Sequence, residues 1–221
     1  MVLGVPRSGT SCVAGVLWRL GVDMGSGHLP QADRSNVLGY YEDMRWQTLN
    51  KMVTGLKYGT KRPTQIDGAQ KARYHHLAKK CEAAADKHGQ VWGFKDPRSC
   101  ITAQFIWPHL EDARMVVTIR NAKHSALSIQ KHSQVSYGGK LRMTFEEAGD
   151  YIHKFGMALQ QTISLFDGPV LMVNYEKLLN RTNKEVARLE EFCYDGLDIK
   201  PSYAEFNQAL NWVDRRMDHC G

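Results

Sequence analysis

The opening of the chain constrains its fold more than any other stretch. Val2 to Val5 is a short apolar run, Pro6-Arg7-Ser8-Gly9 is a turn, and Val13, Val16, Leu17 and Leu20 then recur at helical spacing. Gly21 stands where that helix should stop. A strand, a tight loop and a helix in this order bring loop amides and a helix N-terminus to one point, where they can hold an anion. The alternation continues downstream. Val91–Phe94, Arg114–Ile119 and Val170–Val173 read as short strands, and Met115-Val116-Val117-Thr118-Ile119 is the strongest buried run. Segments 43–57, 69–88, 122–131, 145–166 and 184–194 carry helical patterns. Short apolar strands between helices predict an α/β, three-layer fold with a central parallel sheet and helices on both faces. Ligands of such sheets bind at the carboxyl ends of the strands.

Residues 23–41 are rich in Gly, Pro, Asn and Asp and read as a long loop; 133–143, around Gly138-Gly139, read as a mobile one. No repeat, low-complexity tract or linker divides the sequence, so residues 1–221 are expected to form a single domain. At 43% hydrophobic and 24% charged residues the chain suits a globular protein with a sizeable core, which excludes disorder, collagen and coiled coil. No apolar run reaches membrane-spanning length and no signal peptide is visible, so a cytoplasmic protein without a membrane span is expected. Five cysteines without metal-ligand spacing read as free thiols in a reducing compartment, and no metal is expected. The net charge of +6 suits an anionic ligand, while the scattered basic residues give no nucleic-acid arm.

Gly4-Val5-Pro6-Arg7-Ser8-Gly9-Thr10-Ser11 places Gly4 and Gly9 at the two glycine positions of a nucleotide P-loop. Thr10 stands where that loop needs its lysine, and Arg7 is the loop's cation. Without the lysine the loop is poorly built for a triphosphate and better suited to a smaller terminal anion. A Gly-Ser-Thr turn that simply opens a helix is the plainer possibility. After the strongest strand come Arg120 and, eight residues on, Ser128, about two turns into a helix. An arginine fork and a hydroxyl suit a phosphate. Taken alone, the pair could equally be a surface arginine and a helix-face serine.

Pro6-Arg7-Ser8-Gly9-Thr10-Ser11 resembles the 5′-phosphosulfate loop of the PAPS-dependent sulfotransferases (PAPS is 3′-phosphoadenosine 5′-phosphosulfate), and Arg120 with Ser128 resembles their 3′-phosphate site. Gly93-Phe94-Lys95-Asp96-Pro97-Arg98 is similar to the Lys-Asp-Pro segment of bacterial and tyrosylprotein-type members, and Val173-Asn174-Tyr175-Glu176-Lys177-Leu178-Leu179 to a late Tyr-Glu/Asp-x-Leu element. The resemblance implies a P-loop-like sulfotransferase fold, PAPS as cosubstrate, PAP (3′,5′-adenosine bisphosphate) as product, and no metal. It implies transfer of a sulfuryl group to a hydroxyl or amine of a small-molecule or glycan-like acceptor. Arg7, Ser8, Gly9, Thr10 and Ser11 are then expected at the 5′ end of the donor, Arg120 and Ser128 at its 3′-phosphate, and Lys95 at the transferring group, unless Lys95 only pairs with Asp96 or another neighbour. In-line transfer also needs a base. Glu42, in Gly39-Tyr40-Tyr41-Glu42-Asp43, resembles a bacterial-type segment, and His28 is its rival. A histidine needs no tuning for this task; a glutamate needs burial to raise its pKa. Glu42 could instead serve only as negative charge at the start of the following helix. Two other functions stay open on these residues: a P-loop-type nucleotide phosphotransferase or kinase, and a non-catalytic PAP-binding homologue.

Overall fold

The computed structural model describes residues 1–25, 27–30, 39–55, 63–135 and 142–213. In chain order they form β1 (Val2–Gly4), α1 (Thr10–Arg19), α2 (Met44–Thr54), α3 (Gly68–His88), α4 (Ser99–Thr102), β2 (Met115–Ile119), α5 (Ala122–Val135), α6 (Phe145–Leu165), β3 (Val170–Asn174), α7 (Tyr175–Asn180), α8 (Thr182–Tyr194) and α9 (Tyr203–Trp212). Two short 3₁₀ turns, Ala103–Phe105 and Trp107–His109, lead into β2.

The sheet is parallel, in the order β1-β2-β3, with Leu3 opposite Val117 and Val117 opposite Met172. Its side chains alternate between two cores, as the strand period requires. Val2, Val116 and Val173 enter one cluster with α1, α7, α8 and α9. Leu3, Met115 and Val117 enter the other with α4 and α6. Helices therefore cover both faces, as the alternation of strands and helices predicts. A third cluster, built on Trp46, Tyr74 and Phe94, packs α2 and α3 beside the β1 edge. The described residues include no helix long and apolar enough to cross a membrane.

Three local outcomes differ from the pattern reading. Val91–Phe94 does not form a strand, only isolated parallel bridges of Asp23 with Trp92 and of Val2 with Lys95. Gly93 interrupts the run, and the rings of Trp92 and Phe94 stack on Trp46 instead of extending a ladder. Val2 N still donates to Phe94 O at 2.9 Å, so Lys95 lies beside β1 on the edge away from β2. Secondly, β3 is the outer strand of the sheet, and only Val173 in it is fully buried. Thirdly, α5 runs to Val135, beyond the expected 131, so the loop read at 133–143 begins as helix. Residues 136–141 of that loop, residues 26 and 31–38 of the earlier one, and 56–57 of the 43–57 helix lie outside the described residues.

Candidate active site

The loop after β1 is shaped by two left-handed residues, Arg7 at φ 67 and Gly9 at φ 95. Gly9 is required twice: a Cβ there would meet the Tyr175 ring at 2.1 Å, and the backbone lies where L-residues are strained. Ser8 faces inward. Its amide donates to Val5 O at 3.1 Å, and its hydroxyl shares a 3.0 Å hydrogen bond with Thr118 Oγ1. The helix that follows has Gly9 as N-cap, with no side-chain cap and no acidic residue in its first turn. In contrast, α3 and α6 begin with complete capping boxes, Asp67 with Gln70 and Thr144 with Glu147. No acidic side chain of its own first turn neutralises the positive end of α1, which starts at the carboxyl end of β1.

Two arginines meet over this loop. Arg7 Nε donates to Ser128 Oγ at 3.0 Å, across from α5. Arg120, just past β2, donates through Nη1 to Arg7 O at 3.1 Å and lies 4.8 Å from the Tyr175 ring centroid. The guanidiniums of Arg7 and Arg120 therefore open onto one space.

Beside them lies a buried acid–base pair. Lys95 Nζ donates to Glu42 Oε1 at 2.8 Å and to Ser11 Oγ at 3.1 Å. Glu42 does not cap α2. Asp43 does, accepting from Arg45 N at 2.8 Å, which leaves Glu42 outside the helix to face Lys95. Gln47 Nε2 donates to the other oxygen of Glu42 at 2.8 Å, and Lys51 Nζ donates to Gln47 Oε1 at 2.6 Å. Burial by itself pushes the Glu42 carboxyl up, but the Lys95 charge, the hydrogen bonds from Lys95 and Gln47, and the Arg98 charge together hold it below the usual carboxylate range. The buried glutamate is thus an anion, not the raised-pKa acid that burial alone predicts. Asp96 goes the other way: its burial outweighs the Arg98 charge and lifts its carboxyl. Asp96 anchors the segment, accepting from Arg98 Nη1 at 2.8 Å, from Arg98 N at 2.9 Å and from Asn50 Nδ2 at 3.2 Å.

One cleft of about 260 Å³ collects these groups at the strand carboxyl ends. Of the expected site residues, Arg7, Gly9, Thr10, Ser11, Glu42, Lys95, Arg120 and Ser128 line it together. Ser8 lies beneath the loop, and His28 is not in the lining. Among the described residues, four in the lining are Lys or Arg and one, Glu42, is a carboxylate, so the cleft favours anions. Tyr40, from the segment that carries Glu42, joins the expected residues; His132, Tyr151 and Phe155, which pattern reading did not single out, complete the walls, and Trp212 is the one tryptophan of the lining among the described residues. Gln47 and Asn50 were also missed. Gln47 had a faint signal in its i,i+4 relation to Lys51 on a helix starting next to Glu42; Asn50 had none.

Fold and cleft together define an α/β protein with a cation-lined cleft at the carboxyl ends of a parallel sheet. The sulfotransferase family model matches residues 1–201, and the chain belongs to the sulfotransferase family. Among solved structures it is similar to sulfotransferase STF1 from Mycobacterium tuberculosis H37Rv, with a TM-score of 0.55 and 15% identity over 95% of this chain and 69% of that one. It also aligns with the sulfotransferase domain of the Synechococcus PCC 7002 olefin synthase, with a TM-score of 0.46 and 17% identity over 95% of this chain and 74% of that one. The likeness to STF1 supports the P-loop-like fold. No curated protein sequence matches the chain significantly. Family and fold support sulfotransferase activity.

Proposed function

We propose that residues 1–221 form one sulfotransferase domain that moves the sulfuryl group of PAPS to a hydroxyl or amine of a small-molecule or glycan-like acceptor. The observation that carries this is the position of Lys95, held between Ser11 and Glu42 in the cleft that Arg7 and Arg120 also line. The residues fit an adenosine bisphosphate moiety. Arg7, the N-terminus of α1, Thr10 and Ser11 suit the 5′-phosphosulfate, and Arg120 with Ser128 suits the 3′-phosphate. Thr10, in place of a P-loop lysine, disfavours a nucleoside triphosphate.

In the transfer, the acceptor oxygen forms its bond to sulfur as the bond from sulfur to the 5′-phosphate oxygen breaks, and PAP leaves. Glu42 takes the acceptor proton. Paired with Lys95 it is a poor base, because its negative charge is already stabilised. When the Lys95 ammonium turns toward the departing phosphate oxygen, Glu42 loses that stabilisation and gains basicity as the leaving group gains a cation. One movement of Lys95 thus serves both ends of the reaction. Ser11 gives the ammonium a second holding point near the loop. His28, outside the cleft lining, ranks behind Glu42 as base.

The test is calorimetric titration with PAP and with Mg·ATP, followed by an assay of label transfer from PAPS across phenolic, sugar and amine acceptors. PAP binding without ATP binding, together with transfer to at least one class, supports the proposal. ATP binding without PAP binding refutes it. PAP binding with no transfer to any acceptor points to a non-catalytic nucleotide-binding protein.

A further inference from the structure

Among the described residues, Arg98 is the one cation in the cleft lining to which neither the donor nor the transfer step assigns a task. Its segment, which ends the stretch through Lys95, bridges to Val2 on the edge of β1 away from β2, whereas Arg120 and Ser128 follow β2. Arg98, three residues past Lys95, lies close enough to Glu42 and to Tyr151 of α6 for its charge to act on both.

The guanidinium is also under-used. Its side chain is only 19% exposed, and its sole side-chain hydrogen bond among the described residues runs from Nη1 to Asp96. A guanidinium has five N–H donors in a fixed fork. Here Nε is buried without a hydrogen-bond partner. Asp96 already accepts from Arg98 Nη1, Arg98 N and Asn50, which leaves it one acceptor site for the rest of the fork. A buried cation with unmet donors is costly in the empty protein, and a ligand oxyanion removes that cost. Tyr151 and Phe155 line the cleft with it, giving an aromatic wall beside the charge.

We infer that Arg98 recognises the acceptor, and that acceptors of this enzyme carry an oxyanion, best a carboxylate, close to the hydroxyl that is sulfated. The inference rests on the donor assignment proposed above. A carboxylate matches the planar fork with two parallel hydrogen bonds. It also brings its hydroxyl toward Glu42 without competing for Arg7 or Arg120.

The experiment measures binding of matched probes to the PAP-loaded full chain: 4-hydroxybenzoate against its methyl ester, and methyl β-glucuronide against methyl β-glucoside. In at least one pair the acid should bind about tenfold or more tightly than its neutral mate. Arg98→Gln should abolish that preference and Arg98→Lys should restore part of it, with PAP affinity unchanged in both. Because Arg98→Gln leaves Asp96 without its cation, the double variant Asp96→Asn/Arg98→Gln repeats the measurement in a protein with no unpaired buried charge. No acid preference in either pair overturns the inference, as does a preference that survives loss of Arg98. Loss of PAP affinity in Arg98→Gln also overturns it, by assigning Arg98 to the donor. If the wild-type protein fails to bind PAP, the donor assignment falls instead, and the acid preference is then read on the unliganded chain.

Discussion

At the scale of single residues, the proposed chemistry is concentrated in one buried ion pair. Lys95 and Glu42 are each almost fully enclosed, so neither is stable there without the other. Lys95→Ala leaves an uncompensated buried carboxylate. It should lose about 3–5 kcal/mol of stability in urea titration and about 10²–10³-fold in turnover, while PAP affinity changes little. Lys95→Met combined with Glu42→Gln removes both charges and should recover most of the stability but none of the turnover. A Lys95→Ala protein with full turnover would remove Lys95 from the mechanism. The carboxylate predicts a pH effect of definite sign. Because the folded protein holds Glu42 below the ordinary value of about 4.3, the pair contributes stability above that pH and loses it as pH falls through the folded value. The stability advantage of the wild type over Glu42→Gln should therefore be constant between pH 7 and pH 5 and shrink as pH drops below about 4.3. Because the Glu42 charge is itself one of the groups that lift the Asp96 carboxyl, the comparison is repeated in an Asp96→Asn background, where only the Glu42 carboxyl differs. A difference that stays flat to pH 3.5 would show that Glu42 is not held as an anion.

At the scale of elements, the loop between β1 and α1 is fixed by contact with a distant part of the chain. Gly9 and Tyr175 are far apart in sequence, yet a single methyl at Gly9 would drive into the Tyr175 ring. Gly9→Ala should cost roughly 1–3 kcal/mol through its left-handed backbone alone, and it should also weaken PAP binding by displacing Tyr175 and with it Arg120. In Gly9→Ala/Tyr175→Ala the clash is gone and the backbone strain remains, so part of the stability should return; a strictly additive double variant, by thermal melting, would contradict this coupling. The same loop shows what the sequence made legible. Glycine spacing, one arginine and the flanking strand and helix identify the anion cradle because all of that information is local. Lys95 was legible as a motif, but its strand was not, since Gly93 and the stacking of Trp92 and Phe94 on Trp46 override the apolar pattern. The helix α7 escaped notice because its Asn174 cap follows a strand without a turn. Gln47 and Asn50 were invisible as site residues, since a buried amide has no pattern until its partners arrive from other elements.

At the scale of the whole molecule, the sheet order does the positioning. β1 is flanked by the Lys95 segment on one side and β2 on the other, so three successive chain ends deliver Lys95, the Arg7 loop and Arg120 to one rim. Sequence separation between these groups is large, but their separation across a parallel sheet is one strand spacing each, about 5 Å. A nucleotide phosphorylated at both its 5′ and 3′ positions can therefore be gripped at two points of the rim. The second point should be thermodynamically separable from the first. PAP and AMP share the 5′-phosphate and adenosine, and they differ only in the 3′-phosphate that Arg120 and Ser128 suit. PAP should bind the wild-type protein at least tenfold more tightly than AMP, which at saturating ligand raises the melting temperature by roughly 3–5 °C more for a chain of this size. Arg120→Ala should lose most of this preference, and in Arg120→Ala/Ser128→Ala the two nucleotides should give equal shifts, because the residual 5′ cradle cannot tell them apart. A PAP preference that persists in the double variant would mean that the 3′-phosphate lies elsewhere on the rim, and the two-point grip across β1 and β2 would have to be abandoned.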